Sequence, residues 1–277
     1  MGLMEGDCMR AYETMIKTNY ELIKGYNLFE KDKEAIVNVL MSARKSTVHM
    51  EYISGGVRHL SKSVAGGKRQ MAPQFFVPPY NEGKRLKTIL GQIPKTDILA
   101  GNMYELEILR LLSCLCPEEQ TVKWMVENTV ERLQSTCFGA QDDGVGECFD
   151  ASLVVLRFLI TAVPHEIRWI ESRIENYNRH ANEKKRSWHS QWYYWLCLSE
   201  LPFEFAKSEI DKYKNEIIER LTGKSLCMNS ERDKVLHPVL LCILRNMLVG
   251  YPEYAYIRER QPYVSEKDGR VYFDMVR

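Results

Sequence analysis

No C-x-x-C pair, no H-E-x-x-H helix and no G-x-S-x-G turn occurs in this chain. Those absences remove the usual close ligand pair of a structural zinc site, the zinc-protease helix and the nucleophile elbow of serine hydrolases. A Walker loop is also missing: Gly66-Gly67-Lys68-Arg69 offers the glycine-lysine pair, but Lys62 stands where the first glycine is required. Long apolar runs are scarce. Ala151 to Val163 and Pro238 to Val249 are too short to span a bilayer, and Arg157 and Arg245 interrupt them. Met1 to Arg10 carries Glu5, Asp7 and Arg10 where a secretory leader would be apolar. A reduced, cytoplasmic setting with no membrane association is the expectation.

What is present is ordinary in total and uneven in detail. The 277 residues are 45% hydrophobic and 27% charged with a net charge of +1, which suits a packed protein and excludes overall disorder. Between Arg44 and Lys95 there are ten Lys/Arg against Glu51 and Glu82, a net +8. Between Asp97 and Asp150 eleven acids face Arg110, Lys123 and Arg132, a net −8. The eight cysteines (8, 114, 116, 137, 148, 197, 227, 242) fall mostly within apolar patterns, where a thiol acts as a small hydrophobe. Cys114 and Cys116 are two apart on a helix and point to different faces, so no metal and no cofactor is expected. Cys148 and His165 bracket an apolar helix, which separates them by about 25 Å and rules out a dyad.

Helical periodicity organises most of the chain. Apolar positions at three- and four-residue steps predict helices over 9–28 and 32–44, joined as an antiparallel hairpin. From 102 onward, helices apolar on every side (103–116, 151–163, 190–201, 237–249) alternate with one-sided ones (119–136, 166–179, 204–221). The first kind is buried all round and the second covers it from outside, which predicts two layers. Each apolar helix runs to a proline: Pro117, Pro164, Pro202 and Pro252, spaced 47, 38 and 50 residues apart. Such spacing is near that of two-helix repeats of the HEAT and armadillo kind. The expected fold class is therefore all-α, a single domain over 1–277 of stacked antiparallel helical hairpins in a two-layer α/α repeat array. Within it, 1–50 is the first hairpin and 102–260 the repeat region. Residues 54–96 are dense in Gly and Pro and read as an irregular basic segment with at most a short helix over 84–90. Residues 261–276, with an Asp268-Gly269 turn between β-rich ends, read as a β-hairpin.

One unit of this pattern resembles the repeat of α/α-toroid proteins, the prenyltransferase β subunits and squalene-type cyclases. The likeness covers 103–163 and rests on the amphipathic helix 119–136, then Gln141, Asp142-Asp143-Gly144, Gly146 and Asp150 opening the next helix. It implies a way of stacking helices. The Asp-x-Asp-Asp acid of the cyclases and the Asp-x-Cys of the prenyltransferase zinc site are absent, so it does not carry an activity with it.

The functional expectation follows from an architecture without a catalytic set. The leading reading is a macromolecule-binding helical-repeat protein, of adaptor or toxin-neutralising type, that meets another protein through a concave or loop surface; the enzyme question stays open and leans to no. Two alternatives stand beside it: a toroid-like enzyme with an apolar or isoprenoid-like substrate, and a nucleic-acid or anion binder using the basic 44–95 segment. Arg110, Arg157 and Arg245 recur in the apolar helices and must each reach solvent or meet an acceptor, so they are partner-binding candidates on one shared surface. Trp188 and Trp192 share a helical stripe with Trp195 and join them. Lys68, Arg69, Lys84 and Arg85 are the anion-binding candidates, while Phe75-Phe76-Val77 is expected to anchor their segment to the core. Asp150 is assigned as a helix N-cap.

Overall fold

The computed structural model describes residues 5–45, 73–76, 78–79, 86–140, 147–183, 188–223 and 226–275. These residues are mainly helical, with eleven helices and one small antiparallel sheet. In chain order the elements are α1 (Glu5–Lys24), α2 (Glu30–Ser42), α3 (Asp97–Leu115), α4 (Gln120–Leu133), α5 (Glu147–Ala162), α6 (Ile167–Glu183), α7 (Trp188–Glu200), α8 (Phe203–Asp211), α9 (Lys214–Thr222), β1 (Leu226–Cys227), α10 (Glu231–Leu248), a 3-10 helix (Pro252–Ile257), β2 (Tyr263–Val264) and β3 (Arg270–Tyr272). The chain divides into two compact units, the first of residues 1–19 and 28–185, the second of 20–27 and 186–277.

The first unit is built on α3 and α5, which pack directly against each other. Their middles are mostly apolar, and residues from Leu106 to Leu112 and from Ala151 to Leu159 are buried without interruption. Each fully buried Leu or Ile contributes about 1.5–3 kcal/mol, so this pair is the energetic centre of the unit. Helix α4 covers α3 with Val122, Met125, Val126 and Leu133, and α6 covers α5 with Ile170, Ile174 and Tyr177, while Ile167 stays half exposed. Thr96 starts α3 by accepting a hydrogen bond from Leu99 N at 3.3 Å. The following prolines stop the inner helices: α3 ends at Leu115 before Pro117 and α5 at Ala162 before Pro164.

Two expectations in this unit need correction. Asp150 is not an N-cap: α5 begins at Glu147, and the Asp150 carboxylate accepts a hydrogen bond from Gln92 Nε2 at 2.7 Å. The helix expected over 84–90 does not form across 86–90; Thr88 N bonds back to Gln92 O at 2.8 Å around Gly91, whose φ of +80° suits glycine. Residues 84 and 85 lie outside the described residues.

The second unit packs α7 against α10, with α8 on α7 and α9 on α10. The one-sided helix expected over 204–221 is broken into α8 and α9 at Lys212–Tyr213. The cause is Tyr213, which is drawn inward to pack edge-on against Tyr194 and Trp195 at 6.3 and 5.8 Å and leaves the helical path to do so. Helix α10 starts at Glu231, earlier than the apolar run suggests, because Ser230 caps it by accepting from Asp233 N and Asp233 accepts from Asn229 N. Pro238 therefore sits inside the helix. Gly250 is required by packing: a Cβ there would stand 2.1 Å from the Phe203 ring.

The C-terminal hairpin forms as expected and gains a third strand. Tyr263 pairs with Tyr272 and Val264 with Val271, while β1 adds Leu226 opposite Val271, giving the order β1-β3-β2. Gly269 makes the turn at φ +62°, and Asp268 accepts from Arg270 N and from Tyr272 Oη.

Candidate functional site

Two carboxylates inside the most buried helix of the first unit define its polar centre. Glu105 and Glu107 on α3 are 0% and 3% exposed. Two residues apart on a helix, they face different sides, so each gathers its own partners.

Glu105 serves the irregular segment. Its carboxylate accepts from the backbone N–H groups of Gln74, Phe75 and Phe76 at 3.0, 2.6 and 3.1 Å, and from Arg132 Nη2 at 3.1 Å. Arg132 Nη1 also donates to Asn102 Oδ1 at 2.6 Å. Three consecutive amides on one buried carboxylate fix the backbone of 74–76 as a helix cap would fix a helix. Phe75 and Phe76 are consequently buried, Phe75 edge-on to Trp124 at 5.0 Å, which is the anchoring role expected of them; Val77 lies outside the described residues. Pro73 and Pro78 approach α3 at Gly101, where a Cβ would be 3.0 Å from Pro73 Cγ.

The same segment is tied to the end of α2. Arg44 and Phe76 form an antiparallel bridge, Lys45 N donates to Phe75 O at 2.8 Å, and Lys45 Nζ donates to Pro73 O at 2.7 Å. Residues 45 and 73, which flank positions 46–72, are thus tied to each other through the Lys45 side chain as a neck. Burial pushes the Lys45 ammonium pKa down, Glu105 draws it back up and Arg132 pushes it down again. Burial likewise lowers the Arg132 pKa, opposed by Glu105.

Glu107 faces the other way. It accepts from Arg157 Nη1 at both oxygens, at 3.0 and 2.8 Å, and from Arg110 Nε at 3.3 Å; Arg110 Nη2 donates in turn to Asn19 Oδ1 of α1. Arg110 and Arg157 are 3% and 0% exposed, so they do not line a surface. Arg245, in the second unit, is also buried and meets carbonyls in place of a carboxylate: Arg260 O at 2.6 Å, Lys24 O at 2.9 Å and Ile23 O at 3.4 Å. Asn246 Nδ2 and Gln261 Nε2 join it on Ile23 O and Lys24 O, at 2.9 and 3.0 Å, so that three side chains cap the C-terminus of α1. The shared arginine surface is corrected on this physical ground: a guanidinium in an apolar helix was drawn to internal acceptors, not to solvent.

Of the remaining candidates, Trp192 is buried, edge-on to Trp195 at 5.0 Å, with the Arg220 guanidinium 5.8 Å from its ring centre. Trp188 opens α7. Lys68, Arg69, Lys84 and Arg85 lie outside the described residues. Glu105, Glu107, Arg132, Lys45, Asn19 and Asn102 were missed, although the signal that singled out Arg110 was present for the acids too: Glu105 and Glu107 interrupt the same apolar run. A shallow cavity of about 360 Å³ in the second unit is lined by Pro252, Glu253, Tyr256 and Arg260, which is not the aromatic chamber an apolar substrate would need. Among the described residues no group of His, Cys, Asp or Glu is placed to hold a metal ion, and no helix is long and apolar enough to cross a membrane. No family model, curated protein or solved structure matches the chain.

Proposed function

We propose that this chain is a binding protein of the adaptor or toxin-neutralising class, a scaffold of stacked helical hairpins that offers its loop surface to an acidic partner protein. One observation carries the reading. The fold commits a fully buried carboxylate, three backbone amides and two cations to closing the neck at residues 45 and 73. The 27 positions between them hold Arg58, Lys62, Lys68 and Arg69 against Glu51. A buried ion network of this kind brings little net stability and is justified by the specific geometry it imposes. The geometry imposed here is a fixed base for a cationic segment, which suits a partner of opposite charge.

The experiment is replacement of 46–72 by a short Gly/Ser linker, which the closed neck accommodates. Circular dichroism and the melting curve should stay close to those of the parent chain. Native crosslinking and mass spectrometry in the source cells should recover one stoichiometric acidic protein with the parent, lose it with the replaced chain, and show binding that weakens steeply with salt. Retention of the same partner by the replaced chain, recovery of nucleic acid instead of protein, or turnover of a small molecule without any partner would each overturn the reading.

A further inference from the structure

All eight cysteines are thiols, and two of them stand apart from the rest. Cys137 Sγ and Cys148 Sγ are 3.5 Å apart although the residues belong to different elements. Both are partly exposed, whereas Cys8, Cys197 and Cys242 are buried. We propose that Cys137 and Cys148 are a redox-responsive pair that exchanges with low-molecular-weight disulfides to form a reversible intramolecular disulfide.

The placement of each sulfur is enforced by its surroundings. Cys137 lies in a tight turn after α4, where Thr136 Oγ1 donates to Leu133 O at 2.8 Å and accepts from Gly139 N at 3.1 Å. Trp169 Nε1 then pins Gly139 O at 2.9 Å. Gly139 is required there, since a Cβ would come within 2.2 Å of Leu133 O. Cys148 lies in the first turn of α5. To bond, the two sulfurs must close from 3.5 Å to about 2 Å.

The chemistry balances with a glutathione-type disulfide as oxidant. The Cys148 thiolate attacks one sulfur of that disulfide, and the S–S bond breaks to release one small thiolate, which takes up the proton Cys148 gave away. The Cys137 thiolate then attacks Cys148 Sγ, the mixed disulfide breaks, and the second small thiol departs with the proton of Cys137. Two electrons pass from the pair to the small disulfide, and excess small thiol reverses both steps. In a reducing compartment such a pair responds to a shift in redox poise, the role left to non-structural disulfides there.

The test uses the full chain in glutathione buffers of graded oxidation, quenched with an alkylating agent and mapped by peptide mass spectrometry. A peptide crosslinked through Cys137 and Cys148 should form at ratios where other pairs remain alkylated, in about tenfold or greater excess over any other crosslink, as the higher effective concentration of adjacent thiols requires. Reduced glutathione in excess should abolish it. In Cys137→Ser the first step is stranded, so Cys148 should accumulate the glutathione adduct. Alkylation of both residues at every ratio, separate glutathione adducts on both in the parent chain, or a crosslink that forms equally between other cysteines would overturn the proposal.

Discussion

Arg157 in the first unit and Arg245 in the second hold the same place in two apolar helices, each seven residues ahead of the proline that follows (157 to 164, 245 to 252). They solve the same problem differently. Arg157 pairs with a carboxylate that a second arginine shares, whereas Arg245 reaches the carbonyl end of a helix and the carbonyl of Arg260. One arrangement sets charge against charge; the other sets a charge against the backbone dipoles at a helix end. A buried guanidinium therefore needs oxygen acceptors in its plane, and whether they bear a full charge is secondary to stability but decisive for how the site fails.

The largest effect should come from the charged arrangement. Glu107→Ala leaves two buried guanidiniums without their shared anion and should cost about 3–5 kcal/mol, read as a lower urea midpoint. Replacing Glu107, Arg110 and Arg157 together by Leu, Leu and Met should recover most of that loss; failure to recover would mean that the network contributes more than the cost of its own desolvation. Arg245→Met comes next, at about 2–3 kcal/mol, the scale of charge-assisted hydrogen bonds. Here no apolar partner substitution should restore stability, because the acceptors are main-chain groups that no mutation removes. Hydrogen exchange should show the loss first at the last turn of α1 and in α10.

The smallest effect is one of pH. Burial lowers the His237 pKa below the usual value of about 6.5, only partly opposed by Asp233, whose Oδ1 is 3.6 Å from Nε2, and Arg232 lowers it further. Between the folded pKa and about 6.5 the unfolded chain binds more protons, so stability is complete above that window and falls as pH drops through it. Exchange protection of α10 should weaken on acidification, and His237→Gln should remove that dependence. An unchanged acid response in His237→Gln would assign it to other groups.

Much of the helical plan could be read in the sequence because one-dimensional period and proline positions act locally. The prolines mark where α3, α5 and α7 stop, and the Asp268-Gly269 turn marks the hairpin. The break at Tyr213 was hidden because its cause is an aromatic contact with residues near 194, and the early start of α10 because its cap lies in a polar stretch outside the apolar pattern. The arginines were recognisable as anomalies, but their partners were not. Glu107 is 50 residues from Arg157, and the acceptors of Arg245 include main-chain carbonyls of residues 23 and 24, which no sequence pattern distinguishes from any others. The boundary between the two units crosses α1 within a continuous helical pattern, so no local signal marks it.

The cap on the end of α1 also fixes an order of events. Residues 23 and 24 are synthesised long before the side chains that satisfy their carbonyls, Arg245, Asn246 and Gln261, which come more than two hundred positions later. The second unit is therefore discontinuous in the chain and cannot close until residues up to 261 have been made, a strongly non-local contact of a slow-forming kind. A fragment beginning at residue 186 would carry every helix of that unit from α7 on and still lack the strand of carbonyls on which Arg245 depends.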